Sequence, residues 1–287
     1  MNLQWFPGHM ARTRKMMAES LKITDVAAEL IDARLPLSSR NPEIDKILEG
    51  KPRILVLNKI DMADDKATAL WIKYFKNKGL NVIAVNSVTG KGLEKISAVL
   101  DTALESKRAR DAARGINRSV KMMVCGIPNV GKSSFINKIA GRAGAKAENR
   151  PGVTKDKQWI RLKDGIELLD MPGVLWPKFD SEKVALRLAF TGAIKDETMD
   201  IEELACKLLS FLSENYETAL CGRYKLESAN GKPGYEILED ICKKRGFLLG
   251  KGEYDYYRCA NIVLNEFRDC KIGKFTLEFP ENQKDVI

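Results

Sequence analysis

The 287-residue chain carries 48 lysines and arginines against 39 acidic residues, a formal charge of +9, with 44% hydrophobic residues. That length can bury a sizeable core and suits one α/β domain with a smaller companion, while the basic balance and a pI near 9.1 favour an anionic partner, either RNA or an acidic membrane surface. No apolar run reaches the length of a membrane span, no charged segment leads into an apolar signal core, and a single histidine excludes zinc spacings that need two, so a cytoplasmic, monomeric protein with six reduced cysteines is expected.

From the N-terminus, residues 10–21, with Arg12, Arg14 and Lys15, read as a basic helix leading to a strand over 25–31. Arg53-Ile54-Leu55-Val56-Leu57 reads as a buried parallel strand and delivers Asn58-Lys59-Ile60-Asp61. Ligands in α/β sheets sit beyond the carboxyl ends of strands. Asp61 is then placed to accept two hydrogen bonds from the ring N–H and exocyclic amine of guanine, which adenine does not offer, with Asn58 and Lys59 supporting the base and its loops. A helix is expected over 66–78. A second strand-like run, 82–85, leads into Asn86-Ser87-Val88-Thr89-Gly90-Lys91-Gly92, a loop suited to complete a guanine pocket with Asn86, Ser87 and the backbone N–H groups near Ser87. After a helix over 93–105, the polar basic stretch 107–118 joins two halves of the chain, and a solvated linker and an RNA contact are equally good readings of it.

The second half opens with a short apolar run, 120–124, then Gly126-Ile127-Pro128-Asn129-Val130-Gly131-Lys132-Ser133, which fits G-x-x-x-x-G-K-[ST]. In that pattern glycines let backbone N–H groups wrap phosphates, the lysine reaches the outer phosphates and the hydroxyl ligates Mg²⁺. Asn129, Val130, Gly131, Lys132, Ser133 and Ser134 are the candidate phosphate contacts. Helical spacing over 133–140 (Phe135, Ile136, Ile139) ends at Gly141, so strand, loop and helix come in the order the motif requires. Cys125, beside the loop, reads as a small buried residue without a chemical role. Arg150-Pro151-Gly152-Val153-Thr154 offers Thr154 as a switch threonine closing on Mg²⁺. Ile166-Glu167-Leu168-Leu169-Asp170-Met171-Pro172-Gly173 reads as a strand followed by D-x-x-G, with Asp170 holding Mg²⁺ through water and the Gly173 N–H sensing a γ-phosphate. A glutamine that orients the attacking water often comes next. Here it is Val174, so turnover should be slow without a group supplied from elsewhere in the chain or by a partner.

Beyond Gly173 the pattern becomes helical, with apolar stripes at Ile201, Leu204, Ala205, Leu208, Leu209 and Leu212 and at Tyr256, Ala260, Val263, Leu264 and Phe267. Lys243-Lys244-Arg245, Arg258, Arg268, Lys271 and Lys274 are either contacts to a phosphate backbone or an ordinary solvated face. This part follows the D-x-x-G segment within a few residues, so nucleotide-driven movement of that segment should be felt by it directly.

In ordinary small GTPases the phosphate loop precedes the base-reading motif; here the order is reversed, as in a circularly permuted GTPase. Together with Trp5-Phe6-Pro7-Gly8-His9-Met10 and Asp32-Ala33-Arg34-Leu35-Pro36, the chain resembles the ribosome biogenesis GTPase A family over essentially its whole length. The resemblance implies GTP hydrolysis to GDP coupled to a late step in assembly of the large ribosomal subunit, with the immature subunit and its rRNA as partners. It also implies a part for His9 in hydrolysis beside Lys132, Thr154 and Gly173. Likeness to GTPases that use potassium at the phosphates makes Asn129 a candidate K⁺ ligand. The expected architecture is an α/β permuted P-loop domain, residues 1–178, with a mostly parallel sheet and helices on both faces, then a small all-α RNA-binding domain, 179–287. Two other readings share the motifs: a nucleotide-gated RNA-binding scaffold with negligible turnover, and a signalling GTPase at an anionic membrane.

Overall fold

In a computed structural model, the structure describes residues 7–116, 118–141, 158–162, 165–176, 179 and 181–280. Strands β1 (Val26–Asp32), β2 (Arg53–Asn58), β3 (Asn81–Ala84) and β4 (Val120–Gly126) are largely apolar runs, as expected of strands covered on both faces. With β5 (Gln158–Arg161) and β6 (Ile166–Asp170) they form one sheet of order β3-β2-β1-β4-β6-β5, parallel except for the antiparallel edge strand β5. The chain builds outward from β1 in one direction and from β4 in the other. The crevice between their carboxyl ends is therefore the place where such a sheet binds ligands.

Strand register decides which helices cover which face. Glu29, Leu55 and Cys125 lie side by side, so Ala27, Ile31, Leu57, Met123 and Leu169 share their face. On it α1 (Pro7–Leu21) and α2 (Pro42–Ile47) bury Met17, Leu21 and Ile44, while α3 (Asp65–Asn77) buries Trp71 and Phe75. The opposite face carries α4 (Ile96–Ala103) and α6 (Lys132–Ile139), with Leu100 and Phe135 buried. Glu29 is buried within this sheet; burial pushes its carboxyl up, and Arg40 and Arg53, at 3.4 and 3.2 Å, oppose that shift.

Two local expectations change, and one helix comes unannounced. The first helix starts at Pro7 rather than near residue 10, since proline has no N–H to lose in a first turn and its φ is already helical. The stretch expected as a linker is helical as far as Ala113, in α5 (Glu105–Ala113): arginine, lysine and alanine are strong helix formers, and Lys107 pairs with Asp111 one turn on at 3.0 Å. α5 buries no residue, so no apolar periodicity announces it. Helix α2 escapes periodicity because it is six residues long; Asn41 caps it by accepting from the Glu43 N–H at 2.9 Å, with Pro42 next.

The chain divides into two compact units, residues through Phe179 together with Glu278 onward, and Asp180–Leu277. Glu278 belongs to the first: its carboxylate accepts from the Ser38 N–H at 2.9 Å and the Ser38 hydroxyl at 2.6 Å, and its carbonyl from Trp71 Nε1 at 2.9 Å. The second unit is helical: α7 (Glu182–Phe190), α8 (Ile201–Asn215), α9 (Glu217–Tyr224), α10 (Gly234–Arg245) and α11 (Tyr256–Arg268). α8 packs against all four others, and both predicted apolar stripes lie in the core apart from Tyr256. α10 crosses α8 so closely that a Cβ on Gly234 would lie 1.9 Å from the Cys206 carbonyl oxygen. Arg268 is a structural cap, donating to the Phe190 and Ala189 carbonyls at 3.1 and 2.9 Å and pairing with Asp196. Among the described residues, no helix is long and apolar enough to cross a membrane.

Candidate nucleotide site

The candidate residues gather where β1, β2, β4 and β6 end. Gly126 closes β4 with φ +150°, and a Cβ there would lie 2.5 Å from the Leu30 carbonyl oxygen. The loop then turns through Asn129 and Gly131, both left-handed (φ 58° and 94°), into α6. Lys132, in its first turn, is buried, and its Nζ donates back to the Gly126 and Ile127 carbonyls at 3.3 and 2.9 Å. Desolvation pushes its pKa down to about 8, with Asp170 opposing. The ammonium faces inside the loop, where phosphate oxygens would replace those carbonyls as acceptors. Ser133 is exposed and Ser134 half-buried on the same turn, next to Val130, whose side chain is buried.

β6 brings the D-x-x-G segment across this loop. Asp170 is mostly buried, and its Oδ1 takes no hydrogen bond from a described residue; burial raises its pKa and Lys132 pulls it down. An orphaned carboxylate oxygen beside the lysine of a phosphate loop fits a water held by Mg²⁺. Gly173 lies so close that a Cβ would be 2.7 Å from Lys132 Nζ and 2.9 Å from the Pro128 nitrogen, so only glycine fits there without moving the loop. Val174 does not face it: its N–H donates to the Gly126 carbonyl at 3.3 Å, its carbonyl accepts from Asn41 Nδ2 at 3.0 Å, and its side chain is buried in the cluster of Met17, Leu21 and Met171. The residue in the glutamine position is thus part of the core.

The base-reading half is bolted to the phosphate half. Asn58, buried at the end of β2, donates from Nδ2 to the Val130 carbonyl at 2.8 Å and accepts at Oδ1 from the Ser87 hydroxyl at 2.7 Å and N–H at 3.2 Å. Lys59 Nζ donates to the Asn129 carbonyl at 2.6 Å. Asp61, half-buried, sits in the turn that follows, which the Ile60 N–H ties to the Val85 carbonyl at 3.4 Å. Asn86 braces the loop that follows it. Its Oδ1 accepts from the Val88 and Thr89 N–H groups at 2.8 and 3.0 Å, which shapes the loop and engages the N–H groups nearest Ser87. Gly92 completes that loop at φ 90°, where a Cβ would be 2.1 Å from the Ala84 carbonyl oxygen.

Thr154 lies outside the described residues, and of His9 only the backbone, in the first turn of α1, is described. Asp32 and Arg34, for which motif reading gave no role, lie beside Lys59 of the base-reading motif. Both are buried, joined by a two-pronged ion pair at 3.0 and 2.8 Å, and Asp32 also meets Lys59 at 3.0 Å. An acidic residue ending an apolar strand, two positions before an arginine, is the signal that could have found them.

Comparison with known proteins agrees with this arrangement. Residues 121–223 match the family model described as 50S ribosome-binding GTPase. The match starts just before the phosphate loop and omits the base-reading half, as expected if a model with the ordinary order meets a permuted chain. Ribosome biogenesis GTPase A of Bacillus cereus is 48% identical over 98% of this chain and 95% of its own length. The mouse mitochondrial ribosome-associated GTPase 1 is 33% identical over 96% of this chain and 90% of its own. Among solved structures, GNP-bound YlqF from T. maritima superposes with a TM-score of 0.65 at 27% identity, covering 94% of this chain and 99% of its own.

Proposed function

The chain belongs to the ribosome biogenesis GTPase A family and is a GTPase of ribosome assembly, and from that premise we propose that it hydrolyses GTP while bound to an immature large subunit, late in assembly. The observation that carries the reading is the pair of bonds from Asn58 to Val130 and from Lys59 to Asn129, which make one site of two motifs that the chain order separates.

In the proposed mechanism Asp61 selects guanine, and Asn58, Lys59 and Ser87 hold the base loops against the phosphate loop. Asn86 acts by shaping the loop after Ser87. Backbone N–H groups from Asn129 to Ser134 line the phosphates, and Lys132 donates to the outer ones in place of its carbonyl partners. Ser133 and Thr154 would hold Mg²⁺ directly and Asp170 through water; the bound ion would neutralise charge developing on the β- and γ-phosphate oxygens. The Gly173 N–H would sense the γ-phosphate. With Val174 in the core, the attacking water must be oriented by another group, and His9 is that group in this reading, positioned only on the subunit. Hydrolysis is then slow for the free monomer and faster on the particle. Asn129, whose backbone is already left-handed in the loop, would add a K⁺ ligand.

The helical unit would make the rRNA contacts, with Lys243, Lys244 and Arg245 in the last turn of α10 as its exposed cations. Lys243 pairs with Glu239 at 2.5 Å, and Arg245 lies over the Tyr224 ring at 5.5 Å. Those contacts preset the side chains without removing them from solvent. The deciding experiment exchanges the base edge: Asp61→Asn should shift preference from GTP towards xanthosine triphosphate by about ten-fold or more, the scale of a charged hydrogen bond. Turnover of wild type and variant is measured with both nucleotides, with and without precursor large subunits. Unchanged base preference would refute the pocket, and subunits that leave the wild-type rate unchanged would refute the proposed partner.

A further inference from the structure

Lys59 is held in an unusual way. Its φ of 61° is left-handed, a conformation uncommon for a lysine, and its side chain is mostly buried. Burial lowers its pKa, and Asp32 is the main group opposing that shift. Among the described residues its ammonium meets the Asn129 carbonyl at 2.6 Å and Asp32 Oδ2 at 3.0 Å. Asp32, in turn, is fully engaged. Oδ1 accepts from the Arg34 N–H and Nε, both at 3.0 Å, and Oδ2 from Arg34 Nη2 at 2.8 Å as well as Lys59. Burial would raise its carboxyl, but Arg34 and Lys59 overcome that and hold it well below the usual range. The carboxylate is thus ionised and fixed by a rigid fork before Lys59 reaches it.

Chain order makes this arrangement consequential. The covalent connection between the base-reading and phosphate halves runs through α5, which starts beyond the end of α4 and delivers the chain to the amino end of β4. At the carboxyl ends, where the nucleotide is expected, Asn58 and Lys59 link the two halves through their side chains. We infer that Asp32, preset by Arg34, is a positioning residue for nucleotide binding: it anchors Lys59 so that Lys59 pins the Asn129 carbonyl and keeps the phosphate loop in its binding shape.

The inference rests on the GTPase reading above, and its test separates the two. Equilibrium affinities for fluorescent GDP and a non-hydrolysable GTP analogue are measured for wild type, Lys59→Met, the charge-balanced double variant Asp32→Asn with Arg34→Met, and the triple variant. Removing both buried charges together avoids leaving either unpaired. Lys59→Met and the double variant should each weaken both nucleotides by about ten-fold, the scale of one charge-assisted hydrogen bond, with guanine preference retained because Asp61 is untouched. The triple variant should bind no more weakly than Lys59→Met. Losses that multiply in the triple variant, or a double variant that binds like wild type, would overturn the inference. Wild type that binds no guanine nucleotide would instead overturn the GTPase reading. Should the double variant fail to fold, Arg34→Met alone decides: without the fork Asp32 no longer presents a fixed carboxylate to Lys59, so affinity for both nucleotides should fall several-fold, though no further than in Lys59→Met, and affinity equal to wild type would overturn the inference.

Discussion

Gly173→Ala tests whether the D-x-x-G segment and the phosphate loop work as one surface. The added Cβ would lie 2.7 Å from Lys132 Nζ, 2.9 Å from the Pro128 nitrogen and 3.0 Å from its Cα. To reach ordinary contact near 3.4 Å the ammonium must retreat by about 0.7 Å, yet it already lies 2.9 Å from the Ile127 carbonyl oxygen. The backbone of Pro128 has less freedom still, being part of the loop that would wrap the phosphates. Losing or misaligning one charged contact costs about 1.5–3 kcal/mol, or roughly ten- to a hundred-fold in affinity. Crowding adds about 1–3 kcal/mol of strain where the backbone does not yield, but Gly173 is exposed, so its own segment can bow outward and spare the fold. Fluorescent-nucleotide titration beside thermal melting should show GTP-analogue binding weakened at least ten-fold and GDP less, because only GTP reaches the Gly173 N–H, with a small change in Tm. Binding of both nucleotides within two-fold of wild type would refute the contact.

Lys132 should impose a pH dependence. With its pKa lowered from 10.5 to about 8, the empty site carries the ammonium below pH 8 and loses it above, so nucleotide dissociation constants should rise from pH 7 to 9 and Lys132→Met should flatten that slope. The same shift acts oppositely on the empty fold, whose stability should rise between pH 8 and 10.5 because the unfolded chain then binds the extra proton. Replacing Lys243, Lys244 and Arg245 with glutamate should weaken subunit binding and flatten its salt dependence while leaving nucleotide affinity unchanged; filter binding over a salt series reads both, and an unchanged slope would leave the cluster a solvated face. His9→Ala should lower subunit-stimulated turnover by about 10²-fold with nucleotide and subunit affinities preserved; stimulated rates that survive would move the water-orienting group to the ribosome.

Much of this protein is legible along the chain because its chemistry is local in sequence. The strand, glycine loop and helix from Val120 to Ile139 are consecutive, and their order alone predicts the phosphate loop. The strand before Asn58 and the apolar stripes of α8 and α11 are read in the same way, since periodicity records burial. α5 and α2 are not, because a helix that buries nothing and one of six residues leave no periodic trace.

The reversed motif order, visible in the sequence, is enough to imply permutation, but sequence order does not say what a side chain faces. Val174 was legible as a missing glutamine; only the packing of α1 against β4 and β6 shows that it belongs to the core. Asn86 stands in the base-loop motif, and only the fold shows that its Oδ1 ties the loop after it. Asp32 and Lys59 are 27 residues apart, and Lys59 and Asn129 are 70 apart. They meet because parallel pairing aligns Asp32 with Asn58 and Leu30 with Gly126, bringing three strand ends to one edge. Motif spacing along one segment is determined by local backbone geometry and can be read in one dimension. Contacts between strand ends depend on register across the sheet, which exists only once the chain has folded.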